Sequence, residues 1–290
     1  MNSIEIKTIS FLCALCVLIS CSKSKTSEPG IAVSILPQKY LVERIAGKTY
    51  NVTVIVPPGH SPESYDPTFK QLKDISSAFI YFRIGHIPFE LSQLNKIASV
   101  NPAMQIVDTS AGIELLHGTH DDHSHHHHTG VDPHIWLSPK NARIMAANMF
   151  EALKVHDPIY AKTFEKNFNE LDADIALADR KISASLNELK GKTFLCFHPA
   201  WSYFARDYGL KQISIETDGK EPTPADIKKI LAEAKKHNIK AIFIQKEFSA
   251  EIAQSIAKEI NAKVVQLDPL AEDLIATMNT ICETFIKEIE

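Results

Sequence analysis

The chain of 290 residues is long enough for two domains of ordinary size, each with its own core. Its hydrophobic fraction of 44% and charged fraction of 23% are those of a globular protein and exclude wholesale disorder. The formal net charge is −4 and Lys and Arg are scattered rather than striped, which argues against a nucleic-acid partner.

The N-terminal residues have the pattern of a lipoprotein signal. The apolar run 9–20 is too short to span a membrane, for which about 20 residues are needed. Leu18-Ile19-Ser20-Cys21 looks like a bacterial lipobox, in which Cys21 is acylated and becomes the mature N-terminus. We therefore expect a signal peptide over 1–20 and a flexible tether over 21–30. The protein would be held on the membrane by lipid alone, facing the periplasm or the exterior.

Two cysteines of the mature chain could form a disulfide. Cys13 and Cys16 have C-x-x-C spacing, but they lie inside the expected signal and are not assigned a redox role. Cys196 and Cys282 can pair only if the fold brings their Cα atoms within about 7 Å, which the sequence leaves open.

Residues 31–139 alternate short apolar runs with amphipathic stretches. Strands are predicted at 31–35, 51–56, 78–82 and around Ile106, and helices at 37–46 and 67–76. This alternation is typical of βαβ units and predicts an α/β lobe with a parallel sheet.

A histidine-rich segment, residues 117–128, interrupts this lobe. It holds seven of the chain's 13 histidines together with Asp121 and Asp122. The seven are His117, His120, His123, His125, His126, His127 and His128. Such a run cannot enter an apolar core and predicts a solvated loop that captures metal ions exchangeably. The alternatives are a polar low-complexity loop or a purification tag, and its mid-chain position argues against a tag.

Residues 140–190 carry a helical pattern without strand signals. Asp157-Pro158 supplies a cap and a first-turn proline, and Gly191 lies just past the far end of the second helix. A helix over 158–189 would be about 48 Å long, which suits a spine between two lobes. A coiled coil is the alternative, although the apolar spacing is not a sustained heptad.

Residues 191–290 repeat the α/β pattern. Strands are predicted at 193–197, 212–215, 241–244 and 263–267, and helices at 200–208, 224–237, 249–260 and 270–288. The fold class is therefore α/β: two lobes, each a parallel sheet flanked by helices, joined by one long rigid helix.

Polar side chains follow the ends of predicted strands in both lobes. His60 and Glu63 lie in a proline-rich loop of the first lobe, and His134 follows at its end. His198 and Asp268 follow strands of the second lobe. Ligands of open parallel sheets bind at the carboxyl ends of strands, so these side chains would meet if the lobes face each other across a cleft. Each could instead cap a helix or face solvent. A nitrogen- and oxygen-rich set suits zinc, with manganese as the alternative.

Five motifs, in order, carry a resemblance to a known family. They are P-P-G-H-S-P-E-S-Y-D-P-T (57–68), D-P-H-I-W-L-S-P (132–139), F-H-P-A-W-S-Y-F-A-R-D-Y-G (197–209), E-T-D-G-K-E-P-T-P (216–224) and L-D-P-L (267–270). With the histidine-rich segment, they resemble the ZnuA/TroA-like metal-binding proteins of zinc and manganese ABC importers. The resemblance covers the chain after residue 30. It implies one metal ion in the interlobe cleft and delivery of that ion to a permease and its ATPase.

The resemblance also implies the ligands and shows one departure. His134 and His198 match the family's second and third ligands, and Asp268 stands where an acidic ligand can occur. The family usually has histidine directly after the proline of the P-G-x-x-P loop, where this chain has Glu63. Either Glu63 binds the metal or His60 replaces it. The oxygen ligand favours harder ions. His86 is a further candidate.

Two functions follow from these features. The first is an extracytoplasmic lipoprotein, expected to be monomeric, that captures zinc or alternatively manganese for an ABC importer without catalysing a reaction. The second is a metal-dependent hydrolase at the cell surface, for which Glu216 or Glu221 would be the base. No H-E-x-x-H spacing supports the hydrolase.

Overall fold

A computed structural model describes residues 30–117, 130–216 and 221–289. The expected signal peptide, Cys21, the tether up to residue 29 and the histidine-rich segment beyond His117 lie outside the described residues. In the described residues, no helix combines the length and apolar character needed to cross a membrane.

The first lobe is built on a four-stranded parallel sheet of order β2-β1-β3-β4. Its strands are β1 (Gly30–Val33), β2 (Val52–Val54), β3 (Ala78–Arg83) and β4 (Gln105–Asp108). Its helices are α1 (Leu36–Ala46), α2 (Phe69–Ile75) and α3 (Pro88–Val100). The central strand β1 is buried along its whole length, as expected for a strand covered on both faces.

Helix α3 has no counterpart among the helices expected from the sequence. Pro88 occupies its first turn, where a proline costs no hydrogen bond. Glu90 lies in the same turn and accepts hydrogen bonds from the backbone N–H groups of Ile84 (2.8 Å) and Gly85 (2.6 Å). The buried Glu90 carboxylate thus fastens the start of α3 to the end of β3.

Two long helices follow the first lobe. Helix α4 (Pro139–His156) is capped by Ser138, whose hydroxyl accepts from the backbone N–H of Asn141 at 3.1 Å. Helix α5 (Ala161–Ser185) packs against α1 of the first lobe and α9 (Leu274–Ile289) of the second. The expected spine is therefore present, but its α-helical part has 25 residues because both ends are 3-10 turns.

The second lobe repeats the architecture with sheet order β6-β5-β7-β8, again all parallel. Its strands are β5 (Thr193–Cys196), β6 (Lys211–Ser214), β7 (Ala241–Ile244) and β8 (Lys263–Gln266). Its helices before α9 are α6 (Ser202–Tyr208), α7 (Pro224–Lys236) and α8 (Glu251–Ile260). The two similar parallel sheets and the connecting helix confirm the predicted fold class.

Direct contacts join the two lobes. The indole N–H of the fully buried Trp136 donates to the carbonyl of Pro269 at 2.9 Å. Nearer the surface, Lys39 of α1 forms an ion pair with Glu272 at 2.8 Å. These contacts fix how the carboxyl ends of the two sheets face each other, and that is where the candidate site lies.

The two cysteines of the described chain are not paired. Cys196 at the end of β5 and Cys282 in α9 are both free and buried. Burial raises the pKa of both thiols, so both stay protonated and packed as small apolar side chains.

Candidate metal site

Three side chains from three different loops converge between the lobes. Glu63, His134 and His198 each offer an atom, and these atoms all lie within 4.8 Å of one another. Two of the loops belong to the first lobe and one to the second. A cation bound here would therefore hold both lobes at once.

Glu63 is positioned by the loop that continues strand β2. The backbone ladder with β1 runs on past the strand, since Val56 N donates to Ser34 O at 2.9 Å. A turn over residues 57–60 follows, and α2 begins after the cap Thr68. Between this turn and α2, the Glu63 backbone N–H donates to the Ser61 hydroxyl at 3.3 Å. The Glu63 carboxylate points at the two imidazoles.

His134 is held by the residue two positions before it. The Asp132 carboxylate accepts from both the backbone N–H of His134 (2.9 Å) and its ring Nδ1 (2.8 Å). Asp132 is itself anchored, because the Tyr203 hydroxyl donates to its carbonyl at 2.8 Å. With Nδ1 facing Asp132, Nε2 is the ring nitrogen that faces the cleft.

His198 is held in the same way from the other lobe. Its Nδ1 lies 3.1 Å from Glu216 Oε2. The pairing of Cys196 with Ser214 in the sheet explains this contact, because His198 and Glu216 lie two residues after Cys196 and Ser214 respectively. The Gln245 amide donates to the His198 carbonyl at 3.2 Å, and Phe248 stacks on the ring at 5.0 Å.

The free imidazole nitrogens face each other and the carboxylate. His134 Nε2 and His198 Nε2 are 3.4 Å apart, and Glu63 oxygens lie 3.8 Å and 3.4 Å from them. Ligand atoms about 2.1 Å from a tetrahedral zinc ion lie roughly 3.4 Å from one another. The two imidazole nitrogens are therefore spaced like two corners of a tetrahedral site, and the Glu63 carboxylate lies beside the third.

The surroundings of the two rings are negative and dry. Both histidines are only 4% exposed, Trp136 packs beside His134 at 5.2 Å, and three carboxylates contact the rings. Burial opposes ionisation of Glu63, but the hydrogen bond with His198 and the charge of the two imidazoles outweigh it and lower its pKa to about 2. Burial likewise opposes protonation of His198, yet Glu216 and Glu63 raise its pKa to about 9. The site thus has an excess of negative charge that favours a bound cation.

His60 and Asp268 do not join this group. His60 N donates to Pro57 O in the turn, and its exposed ring packs against Tyr65 at 5.5 Å. The Asp268 carboxylate pairs with Lys246 and accepts from Leu270 N at 3.0 Å. The sheet register brings Lys246 and Asp268 together. Ile244 pairs with Gln266, and Lys246 and Asp268 each lie two residues after one of these partners. In this structure neither residue meets the two imidazoles, and a metal-binding role for either stays a prediction.

Other residues singled out by sequence lie elsewhere or outside the described chain. His86 contacts Ser110 at 3.3 Å, away from the group. His117, the first residue of the histidine-rich segment, forms an isolated antiparallel bridge with Val131. This bridge places His117 beside the residue that precedes Asp132. The remaining histidines of the segment fall outside the described residues.

Two supporting residues escaped the sequence interpretation. Asp132 was identified only as part of the D-P-H motif, and Glu216 only as the first residue of the motif 216–224 and as a possible hydrolytic base. Asp132 could have been found from the sequence, because it lies two residues before His134 with Pro133 between them. Glu216 follows the strand next to the one that precedes His198, which requires the strand order to be known.

Known proteins similar to this chain are named for zinc uptake or metal binding. The family model described as "Zinc-uptake complex component A periplasmic" (ZnuA) matches residues 31–288. A "Putative metal-binding protein" of Chlamydia muridarum is 32% identical over 257 residues, 88% of this chain and 90% of its own. The "High-affinity zinc uptake system protein ZnuA" of Bacillus subtilis is 27% identical, covering 90% of this chain and 87% of its own. A crystal structure of ZnuA superposes with a TM-score of 0.84 at 34% identity, covering 90% of this chain and 99% of that one.

Proposed function

Because the chain belongs to the ZnuA family of periplasmic zinc-uptake components, we propose that it captures zinc outside the cytoplasm and delivers it to an ABC import permease with its ATPase. The relatives named for zinc uptake or metal binding support this function. The mature protein would be anchored through Cys21 and would act as a monomer. Its lobes would span 31–139 and 191–290, with the helices of 140–190 between them.

One observation carries the proposal. Two imidazoles from opposite lobes present their Nε2 atoms to each other at 3.4 Å, and each ring is oriented through Nδ1 by a carboxylate. Carboxylate–histidine pairs of this kind are typical partners of zinc ligands, since they fix the tautomer and raise ligand basicity. Glu63 supplies a third ligand from the first lobe.

The donor set favours zinc over manganese. Imidazole nitrogen is a borderline ligand that suits zinc, whereas manganese prefers sites made mainly of oxygen. The Glu63 oxygen in place of a histidine moves the site toward harder ions, and manganese is therefore the alternative cargo. A metal titration with both ions decides between them.

Capture needs no chemical step. Glu63 and His134 belong to one lobe and His198 to the other, so the cation completes the closed arrangement by bridging them. Release at the permease would require these ligands to separate. For a hydrolase, Glu216 or Glu221 would have to act as the base. The Glu216 carboxylate is engaged with His198 Nδ1, and Glu221 is exposed and is not among the three converging side chains. We therefore propose a binding protein and no enzymatic activity.

The test is a zinc titration by calorimetry on the mature chain lacking residues 117–128, so that loop histidines do not contribute heat. We expect one tight site per chain, with manganese binding more weakly. Loss of the tight phase in His134→Ala and His198→Ala, and its retention in His237→Ala, supports the proposal. His237 is the control because its ring pairs with Glu233 at the end of α7 and it is not among the three converging side chains. Absence of a tight one-to-one phase, or its retention in His134→Ala and His198→Ala, contradicts the proposal.

A further inference from the structure

The junction of helices α4 and α5 exposes a group of apolar side chains that the metal site does not use. This apolar corner consists of Val155, Pro158, Ile159 and Tyr160, all of them exposed. Val155, Ile159 and Tyr160 are 73%, 88% and 43% exposed. Single exposed apolar residues are ordinary, whereas four within six positions indicate an interaction surface.

The backbone that carries the apolar corner is fixed by packing. Asp157 N donates to Leu153 O at 2.9 Å, and the Asp157 carboxylate accepts from the Tyr50 hydroxyl at 2.8 Å. The Tyr160 ring packs against the fully buried Phe164 with centroids 6.0 Å apart. The corner is therefore a firm part of the first lobe, and its apolar side chains are held outward.

The apolar corner lies at the edge of the first sheet where the chain enters it. His156 stacks on Phe79 of β3 with ring centroids 3.9 Å apart, and Phe79 also packs against Tyr50 at 5.2 Å. Gly30, the first residue of β1, pairs in the sheet with Ala78, the neighbour of Phe79. The corner and the point where the preceding residues attach are thus at the same, amino edge of the sheet.

The expected lipid anchor keeps this edge near the membrane. Gly30 follows Cys21 by nine residues, which span at most about 30 Å when fully extended. The metal site is at the opposite, carboxyl edge. Helix α4 starts shortly after His134, and its 18 residues carry the chain about 27 Å to the corner.

We propose that the apolar corner rests on the phospholipid surface beside the lipid anchor and keeps the metal site facing away from the membrane. This inference rests on the lipid-anchored form of the proposed function. Tyrosine and aliphatic side chains suit the boundary between headgroups and acyl chains. Exposed Lys48 and Lys162, two residues from Tyr50 and Tyr160 respectively, suit anionic headgroups.

The contact is small and is weak by itself. The anchor makes it an intramolecular contact, so that a few apolar side chains are enough to set the orientation. A weak contact also breaks readily, which allows the lobes to turn toward the permease. The bound orientation would therefore serve capture, and the released one delivery.

The experiment places a fluorescent reporter on the acylated full-length protein. The protein is reconstituted in vesicles of phosphatidylcholine and phosphatidylglycerol whose acyl chains are brominated, because bromine quenches a tryptophan that touches the bilayer. The natural Trp136 and Trp201 are fully buried and give a constant background. Tyr160→Trp adds a reporter at the corner. Phe69→Trp is the matched control, since Phe69 is 79% exposed at the start of α2, after the loop that carries Glu63.

We expect brominated vesicles to quench the added fluorescence of Tyr160→Trp and to leave that of Phe69→Trp unchanged. Adding Val155→Ser and Ile159→Ser to Tyr160→Trp should abolish the quenching, because the apolar contact is lost while the anchor remains. Both positions are exposed, so the triple variant should keep the zinc affinity of the parent.

Three results overturn the proposal. Equal quenching at the two reporter positions would mean that the protein has no preferred orientation. Quenching that persists in the triple variant would mean that the anchor alone brings the corner to the bilayer. A dimer of the non-acylated mature chain that Val155→Ser and Ile159→Ser abolish would assign the corner to a second copy.

The proposed function fails by different observations. Mass spectrometry that finds Cys21 unmodified in the mature protein removes the anchor and this inference with it, while zinc capture stands. Loss of the tight phase in the zinc titration of the parent removes the capture function, whatever the vesicles show.

Discussion

His134 Nε2 and His198 Nε2 face each other at 3.4 Å across the boundary between the two lobes. Each ring is held from behind by a carboxylate, Asp132 for His134 and Glu216 for His198. The two halves of the chain thus present matched, pre-oriented imidazoles to one point.

Removing a carboxylate behind an imidazole should weaken metal binding without removing a ligand. In Glu216→Gln the amide no longer carries the charge that orients His198 and raises its basicity. We expect zinc affinity to fall by about 10–100-fold, measured by competition with a chelating dye. Asp132→Asn should act similarly on His134.

Glu233→Gln is the matched control for these two variants, because Glu233 lies on α7 and its carboxylate pairs with Lys236 and His237. If Glu216→Gln and Asp132→Asn bind zinc as tightly as Glu233→Gln, the carboxylates do not support the ligands.

Zinc should stabilise the folded protein, and chelation should reverse the effect. The ligands come from both lobes, so the unfolded chain offers no preformed site for the ion. At free zinc 1,000 times the dissociation constant, the expected gain in the free energy of unfolding is about 4 kcal/mol. Thermal unfolding with and without EDTA measures it. A gain of equal size in His134→Ala would show that zinc acts at some other place.

The interlobe hydrogen bond of Trp136 should contribute to stability. Trp136→Phe removes the indole N–H that donates to the buried Pro269 carbonyl, which should lower the free energy of unfolding by about 1–3 kcal/mol. Urea unfolding measures the change.

Trp201→Phe is a close control for the Trp136 variant. Trp201 is also fully buried, but its indole N–H has no acceptor among the described residues. Both substitutions remove the same atoms, so the difference between them isolates the hydrogen bond. Equal destabilisation of the two variants would mean that the Trp136 bond adds nothing.

Deleting residues 117–128 should reduce the number of zinc ions bound per chain while leaving the tight site intact. The segment's histidines form a compositional cluster, whereas the ligands of the cleft are held by Asp132 and Glu216. Calorimetry should show loss of the weak phase only. Loss of the tight phase would place the main site in the deleted segment.

Much of the fold followed from local sequence patterns. Runs of β-branched and aromatic residues such as 78–82 and 241–244 predicted strands that the structure contains. The α-helix between the lobes was expected over 158–189, and its ends proved to be 3-10 turns. Helix α3 was missed because Ile87-Pro88 was not taken as a helix start, although proline is common in a first turn.

Only part of the candidate site could be predicted from the sequence. His134, His198 and Glu63 each follow a recognisable motif, and the structure brings them together. The pairing of Asp268 with Lys246 and the contact of Glu216 with His198 depend on which strands are neighbours and in what register. No local pattern contains that information, so the sequence did not reveal that Asp268 pairs with Lys246 or that Glu216 contacts His198.

The most direct measurement is a crystal structure of the zinc-loaded protein with anomalous scattering recorded at the zinc edge. We expect one strong peak between the lobes, about 2.0–2.2 Å from His134 Nε2, His198 Nε2 and a Glu63 oxygen. A main peak bound to only one of the two imidazoles, or lying outside the cleft, would contradict the conclusion that one cation joins the lobes.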